Sequence, residues 1–226
     1  MPSSLRFAFL LSAALASRAQ SNVQAVLARM DASAPGFRSM TGRIARETFT
    51  AIVDDRSEES GVVIMARSKA KDIRVKMEFA KPDLRSVAFS GQKAEIFYPK
   101  RGEVEEYDLG KHKALVEQFL LLGFGGTGKE LQKNYSLKYL GEDTVEGRKA
   151  SRLELIPKSA QVKENYNKLE LWISNPGGYP LRQKLFQPSG NYSSVTYSDV
   201  QWNPEIAPDQ LSLKLPPKVK RIFPGK

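Results

Sequence analysis

The sequence predicts a mainly β fold with added helices (α+β), in which one curved antiparallel sheet carries the core. Two observations predict it. Apolar and polar residues alternate along about ten short segments between Phe37 and Leu215, a pattern typical of antiparallel strands with one buried and one solvated face. One helical segment precedes these strands and another interrupts them. A sheet of about ten strands must curl, split or close.

The first predicted element is a helix over Asn22–Ala34, where apolar residues recur at helical spacing and Pro35-Gly36 ends the run. The clearest strand is Ile73–Phe79, and the acidic segment Asp54–Glu59 is interpreted as a turn. Further strands are predicted at Gly61–Met65, Leu84–Phe89, Ala94–Tyr98, Glu103–Tyr107, Leu181–Phe186, Tyr192–Trp202 and Leu211–Leu215, and around Leu137, Leu153 and Leu171.

The helical interruption is Lys113–Leu122, which carries a wide apolar face and ends at Gly123. The stretch Gly123–Lys129 matches the first seven positions of a phosphate-binding P-loop. However, Glu130 stands where the motif needs a hydroxyl for magnesium, and the stretch follows a helix instead of a strand. We therefore interpret it as a flexible hinge, since glycines ease large dihedral changes.

Composition excludes most catalytic chemistry. The chain has no cysteine and one histidine, His112, which removes disulfides, thiolate metal sites and cysteine nucleophiles. His112 lies between two lysines, and no Gly-x-Ser-x-Gly turn is present to pair with it. The acidic run Glu103, Glu105, Glu106 and Asp108 is surrounded by cations and is interpreted as a solvated hairpin edge. We expect a protein that is not an enzyme and holds no metal or cofactor.

The N-terminal 19 residues have the layout of a secretory signal peptide. Arg6 precedes the apolar run Phe7–Ala16, and small residues then offer cleavage sites near residues 16–20. The run is too short to span a bilayer comfortably, and no later stretch reaches about 18 apolar residues. The alternative is an uncleaved anchor or an unstructured tail. We predict export, with residues 20–226 as one domain that does not span a membrane.

The charge balance is basic. Loss of Arg6 and Arg18 with the leader lowers the formal charge from +10 to +8. This charge suits an anionic surface or an acidic partner, for which the tail residues Lys218, Lys220 and Arg221 are candidates, or it is ordinary solvated charge. Nucleic acid is not expected as a partner, because the tail lacks interleaved stacking aromatics.

The apolar face of a curled sheet has two possible fates. It can enclose a cavity that holds an apolar ligand, covered by the two helices, or it can simply form a filled core. The alternating strands and the Lys113–Leu122 helix supply the candidate cavity lining: Val75, Met77, Phe79, Phe89, Leu115, Phe119, Leu153, Leu171 and Leu185.

Several segments resemble one known family. The segment Phe89–Pro99 is similar to a hairpin of the periplasmic outer-membrane lipoprotein carrier proteins (LolA-like), and Leu169–Ile173 with Gly178–Gln183 resembles their later strand pair. The order of signal peptide, helix and curved-sheet strands also follows the family plan, as do the closing segments Tyr197–Asn203 and Leu213–Pro217.

The resemblance implies an unclosed β-barrel capped by helices, whose interior shelters the acyl chains of a lipoprotein or lipid and carries them through the periplasm towards the outer membrane. It also implies an inner-membrane release complex and an outer-membrane acceptor as partners; we expect a monomer. In the family an arginine holds the lid closed; Arg67 is the candidate counterpart here, and Arg74 competes with it. The alternative is a non-carrier periplasmic scaffold or sensor that binds a protein partner.

Overall fold

The computed structural model of the protein describes residues 20, 22–69, 72–120 and 122–224. The predicted signal peptide lies outside the described residues. Four helices are present in this part of the chain: α1 (22–33), α2 (Lys113–Leu120), α3 (Gly128–Asn134) and α4 (Ala160–Asn165). The strands are β1 (Ser39–Thr50), β2 (Asp55–Lys69), β3 (Asp72–Lys81), β4 (Arg85–Ser90), β5 (Lys93–Tyr98), β6 (Glu103–Asp108), β7 (Tyr135–Val145), β8 (Arg148–Pro157), β9 (Lys168–Ser174), β10 (Pro180–Phe186), β11 (Tyr192–Trp202) and β12 (Lys220–Ile222).

The described strands form one twelve-stranded sheet in the order β12-β6-β5-β4-β3-β2-β1-β11-β10-β9-β8-β7. The pairings are antiparallel except that of β12 with β6. Strands β12 and β7 stand at opposite ends of the order, so the sheet is curved and unclosed. This confirms the predicted mainly β fold class with covering helices. No helix in the described part of the chain is long and apolar enough to cross a lipid bilayer.

A first core forms where α1 packs on β8 and β9. The spacing of Val23, Val26 and Met30 places them on one face of α1, and all three are buried. Burial of each such side chain contributes about 1.5–3 kcal/mol, which is what holds a helix of this length on the sheet. The other buried members of the first core are Leu27, Leu122, Leu131, Tyr135, Leu153, Leu155, Leu169, Leu171 and Ile173.

A second core lies over the other half of the sheet. Its strand residues come from alternate positions of neighbouring strands, as the register Val63–Met77–Val87 illustrates. Its buried members are Phe37, Met40, Ile44, Val63, Met65, Ile73, Val75, Phe79, Val87, Phe124 and Tyr197. Two large apolar clusters therefore lie on the sheet, and a third, smaller cluster consists of Val145, Ala150, Trp172 and Leu181.

Two sequence predictions about secondary structure were wrong. The segment Asp54–Glu59 is mostly strand, because β2 begins at Asp55. Strand pairing is favoured there because Glu59 faces Arg46 at 3.7 Å and also pairs with Arg85, so one of the acidic side chains that suggested a turn meets cations across the strands. The last strand is Lys220–Ile222 and not Leu211–Leu215, since a short 3-10 turn, Pro208–Leu211, interrupts the predicted alternation.

Candidate functional site

The connection from β6 to β7 crosses the mouth of the unclosed sheet, from the strand next to the edge strand β12 to the other edge strand, β7. Its first part, residues 110–120 and 122–127, is here called the lid. Glycines in the left-handed region flank α2 within the lid: Gly110 has φ 44° and Gly123 has φ 84°. A residue with a Cβ adopts such backbone angles only with strain. These glycines let the chain turn sharply on either side of α2.

Helix α2 bridges the two cores. Phe119 packs on the first core and meets Tyr166 edge-to-face at 4.9 Å between ring centroids. The next residue, Leu120, packs on the second core. The side chains of Val116, Phe119 and Leu120 are only half-buried, so α2 lies on the surface of the two cores and is not part of their interior.

Phe124 anchors the lid. Its side chain is fully buried in the second core, with the Tyr197 ring edge-on at 4.9 Å and the Phe37 and Trp202 rings each at 6.4 Å. Aromatic pairs in such geometry add about 0.5–1.5 kcal/mol each to the burial of the ring. The sequence analysis missed Phe124, because an isolated phenylalanine among glycines shows no periodicity.

Two hydrogen bonds reach the lid from the sheet. The Gln183 side-chain amide donates to the Leu122 carbonyl at 2.6 Å, and the Arg67 guanidinium donates to the Gly125 carbonyl at 3.3 Å. Tyr197 donates its hydroxyl to Gln183 at 3.4 Å. Burial raises the pKa of Tyr197, which keeps this hydroxyl protonated and Gln183 oriented.

Of the two arginines considered for the latch, Arg67 contacts the lid, whereas the side chain of Arg74 bonds elsewhere. Arg67 also places its guanidinium 5.7 Å from the Phe37 ring centroid, and its Nε is buried without a hydrogen-bond partner. Arg74 instead donates to the Ser212 hydroxyl at 3.0 Å, away from the lid. A latch role for Arg67 stays a prediction.

A cavity of about 490 Å³ opens beside the lid. Its apolar wall consists of Met30, Leu122, Leu131 and Tyr135, all of the first core. The polar residues and the loop backbone that complete it are Arg67, Glu117, Gly123, Gly125, Gly126, Thr127, Glu130 and Asn134, with Ala34 and Pro35 at the end of α1. An apolar wall with a charged rim is the usual make-up of a ligand pocket.

The structure divides the predicted cavity lining between the two cores. Val75, Met77, Phe79 and Phe89 lie in or against the second core. Phe119, Leu153, Leu171 and Leu185 lie in or against the first, and the side chain of Leu115 lies outside the described residues. Four cavities of about 380–530 Å³ in the described part of the chain are lined by none of the eight described residues. Their role as ligand contacts stays a prediction.

The P-loop-like stretch has a structural role. Thr127 caps α3, because its hydroxyl oxygen accepts a hydrogen bond from the Glu130 main-chain amide at 3.1 Å. In return, the Thr127 main-chain amide donates to the Glu130 carboxylate at 2.9 Å. Glu130, the residue that departs from the nucleotide-binding pattern, is thus the partner in a capping box. Asp31 adds a hydrogen bond from the Gly128 amide at 2.7 Å, which ties α1 to the end of the lid.

The acidic run and the basic tail meet each other. Glu103 accepts from Lys220 at 3.0 Å, and Arg221 pairs with Glu106 and, at 3.9 Å, with Glu95. These two tail cations pair with carboxylates of the fold, and binding of the tail to an acidic partner stays a prediction. Among the residues that the structure describes, no group of histidine or acidic side chains could hold a metal ion.

The fold is similar to those of several solved structures. An uncharacterized conserved protein from Thermus thermophilus has a TM-score of 0.55 at 14% identity, over 89% of this chain and 99% of that chain. MucB has a TM-score of 0.52 at 18% identity, over 85% of this chain. The match covers 63% of MucB, less than two thirds of its length, and MucB has also been solved in complex with the periplasmic part of MucA.

The chain shares its overall fold with these two structures. A LolA superfamily protein from Nitrosomonas europaea also matches, at 15% identity over 84% of this chain and 97% of that one, but its TM-score of 0.39 carries no weight. No family model and no curated protein matches the sequence. The likeness concerns architecture, because identities of 14–18% leave the residues of any site free to differ.

Proposed function

We propose that the protein is a periplasmic carrier that shelters the acyl chains of a lipoprotein or lipid beneath the lid and moves them towards the outer membrane. The observation that carries the proposal is the construction of the lid. A half-buried apolar helix is flanked by two left-handed glycines and held over both cores by Phe124 and two hydrogen bonds. Such a segment can leave the sheet without unfolding it.

The free energy gained by burying an acyl chain can offset the loss of contacts between the lid and the sheet. Each CH₂ group taken out of water contributes about 0.8 kcal/mol, so a chain of about 15 such groups contributes about 12 kcal/mol. Burial of Phe124 contributes about 1.5–3 kcal/mol, and each hydrogen bond to the lid contributes a net amount of about 0.5–1.5 kcal/mol. The burial of Phe124 and these two hydrogen bonds are together weaker than the contacts that an acyl chain gains.

The cavity beside the lid is the proposed entry point. Its wall residues Leu122 and Leu131 belong to the first core, and Leu153 and Leu171 lie in that same core. Displacement of Phe124 would connect this region with Val75 and the rest of the second core. In this proposal the two cores become the two sides of one binding space.

The proposal is tested by titrating the purified protein with a fluorescent fatty-acid probe and with an acylated lipoprotein. We expect saturable binding, its loss in Met77→Glu, and its retention in Val62→Glu. Val62 is 42% exposed on the neighbouring strand, so the same carboxylate there stays in water. Absence of saturable binding by the wild-type protein, or equal loss in both variants, overturns the proposal.

A second function is a candidate because both cores are filled by the protein's own side chains, which favours a protein that holds no acyl chain. The protein would then be a periplasmic scaffold or sensor that binds a protein partner, as MucB does with MucA. This function predicts a partner captured by the wild-type protein and by Met77→Glu alike, together with no binding of the fatty-acid probe. The carrier proposal instead predicts saturable binding of the fatty-acid probe by the wild-type protein and loss of that binding in Met77→Glu.

The proposal extends to localisation and partners. Residues 1–19 would be removed as the signal peptide, and residues 20–226 would act as one monomeric binding domain without catalysis. An inner-membrane release complex would load the carrier and an outer-membrane acceptor would unload it. Fractionation of cells expressing the chain checks the first point, since a retained leader or a cytoplasmic product would contradict export.

A further inference from the structure

The face of the sheet opposite α1, here called the outer face, carries a second cavity of about 530 Å³. Residues Leu169, Leu171 and Ile173 of β9 pack on the α1 side. Because successive side chains of a strand alternate between faces, Glu170 and Trp172 project to the outer face. The sheet register then places one row of side chains beside Trp172 and another beside Glu170.

The first row is Arg152–Trp172–Arg182–Thr196, on the consecutive strands β8, β9, β10 and β11. Both guanidiniums lie against the Trp172 indole, with Arg152 at 4.9 Å and Arg182 at 5.5 Å from a ring centroid. Arg182 also donates from Nε to the Thr196 hydroxyl at 2.9 Å. This leaves the terminal nitrogens of Arg182 available to a ligand.

The second row is Glu170–Lys184–Ser194–Glu47, on β9, β10, β11 and β1. The Glu170 carboxylate is already matched, because Arg152 reaches it at 2.6 Å and Lys168 at 3.0 Å. The Lys184 ammonium lies 3.5 Å from the Tyr192 ring centroid. Burial lowers the pKa of Lys184, so this cation lacks part of the solvation that an anion would restore.

Arg182 and Lys184 are thus two cations of one cavity that have no carboxylate within ion-pair distance among the residues described. They are two positions apart on one strand, so their Cα atoms are about 7 Å apart and their side chains share a face. A guanidinium fork with a nearby ammonium is a common arrangement for binding phosphate oxygens. Towards β1 and β2 the lining is of mixed charge, with Glu47, Glu58 and Glu59 beside Arg46 and Lys81. The anion is therefore placed at the β9–β10 end, where Arg182 and Lys184 lie together.

We propose that the outer-face cavity binds a phosphate-bearing ligand, with the phosphoryl group between Arg182 and Lys184 and its substituent against Trp172 and Phe186. This site lies on the side of the sheet opposite the lid, so it is independent of acyl-chain binding. Both a free phosphate ester and a phospholipid headgroup present this chemistry. The two sources are separated by experiment.

Trp172 provides the readout. The chain has two tryptophans, so a Trp202→Phe background leaves Trp172 as the reporter. In this background we would titrate inorganic phosphate, glycerol 3-phosphate, and vesicles of phosphatidylcholine with or without phosphatidic acid. We expect a saturable change in Trp172 fluorescence. A response to the soluble probes assigns a free phosphate ester, and a response only to the phosphatidic acid vesicles assigns a headgroup.

Neutral variants test the residues. We expect Arg182→Gln and Lys184→Gln each to weaken binding by roughly tenfold or more, because each removes a charge-assisted hydrogen bond. The control is Lys138→Gln, which removes the same charge at an exposed position of β7 and should leave the affinity for each probe unchanged. Absence of a saturable response to every probe, or equal weakening in Lys138→Gln, overturns the proposal. Binding of the fatty-acid probe by the Arg182 and Lys184 variants should stay unchanged, which keeps this test separate from that of the carrier function.

Discussion

The side-chain amide of Gln183 donates a 2.6 Å hydrogen bond to the main-chain carbonyl of Leu122. Both residues are buried, and they are 61 positions apart in the chain. A polar side chain on the lid side of β10 therefore serves as the point to which the end of α2 is fastened. Because Tyr197 orients this amide from a neighbouring strand, the fastening depends on the sheet and not on the lid.

Replacement of Gln183 by leucine should destabilise the protein by about 1–3 kcal/mol, because a buried carbonyl and a buried hydroxyl lose their partner. Urea denaturation monitored by circular dichroism measures the change. The matched control is Gln201→Leu, at an exposed position of β11, which should shift stability by less than about 0.5 kcal/mol. Equal stability of the Gln183 variant and the wild type would contradict the assignment.

Phe124→Ala should cost about 3–5 kcal/mol, the usual loss for a fully buried phenylalanine. Because the ring is the lid's main contact with the second core, we also expect faster proteolytic cleavage within residues 110–127 than elsewhere. Leu84→Ala is the control, since Leu84 is 53% exposed. Cleavage that rises uniformly along the chain would indicate global unfolding and argue against a local anchor.

Arg67→Met should loosen the lid, whereas Arg74→Met should not. The long Arg67–Gly125 hydrogen bond and the contact with Phe37 are lost only in the first variant, and a loss of about 1.4 kcal/mol raises local opening roughly tenfold. Hydrogen exchange of the lid amides is the measurement. If both variants accelerate exchange to the same degree, Arg67 has no special role as a latch.

The acid stability of the protein should depend on Glu59. The hydrogen bond from Arg85 holds the pKa of Glu59 below its usual value near 4.5. A depressed folded-state pKa stabilises the protein above the unfolded value, and that contribution is lost as the pH falls from about 4.5 through the folded value.

Glu59→Gln should therefore be less stable than the wild type at pH 7, and the difference should shrink on acidification below about pH 4.5. Thermal unfolding between pH 7 and pH 3 tests this. The control Glu58→Gln has the same charge change on an exposed neighbour and should show a nearly constant, small difference. A gap that widens at low pH would reverse the sign and exclude the Arg85 pair as its source.

Local patterns were enough to predict most of the sheet. In Ile73–Phe79 the apolar residues alternate with polar ones because one face of the strand is buried. The sequence therefore predicts both the strand and which of its side chains point into the core. Helix α1 was predicted for the same reason, and its end at Pro35-Gly36 is set by local backbone chemistry. In contrast, the strand nature of Asp55–Glu59 depends on Arg85, which is distant in the chain, and α4 offered too short a pattern to detect.

The candidate site was less accessible from the sequence. The predicted lining residues were chosen only because they lie on the apolar face of a strand or helix. That position does not distinguish a residue of a filled core from one that lines a cavity. Gln183 and Phe124 matter because the chain brings β10 and the lid together, which no local pattern encodes. The outer-face cavity is a product of register across β8 to β11, where Arg152 and Arg182 become neighbours of Trp172 only after the strands pair.

The lid is part of the covalent connection between the two sides of the open sheet, since it follows β6, which lies next to the edge strand β12, and leads through α3 to the other edge strand, β7. A flatter sheet would move β6 and β7 apart and strain the lid, and displacement of the lid would allow the sheet to flatten. In the proposed carrier function, entry of an acyl chain and a change in the curvature of the sheet would therefore be coupled, so a change in curvature far from α2 would reach the cavity beside the lid.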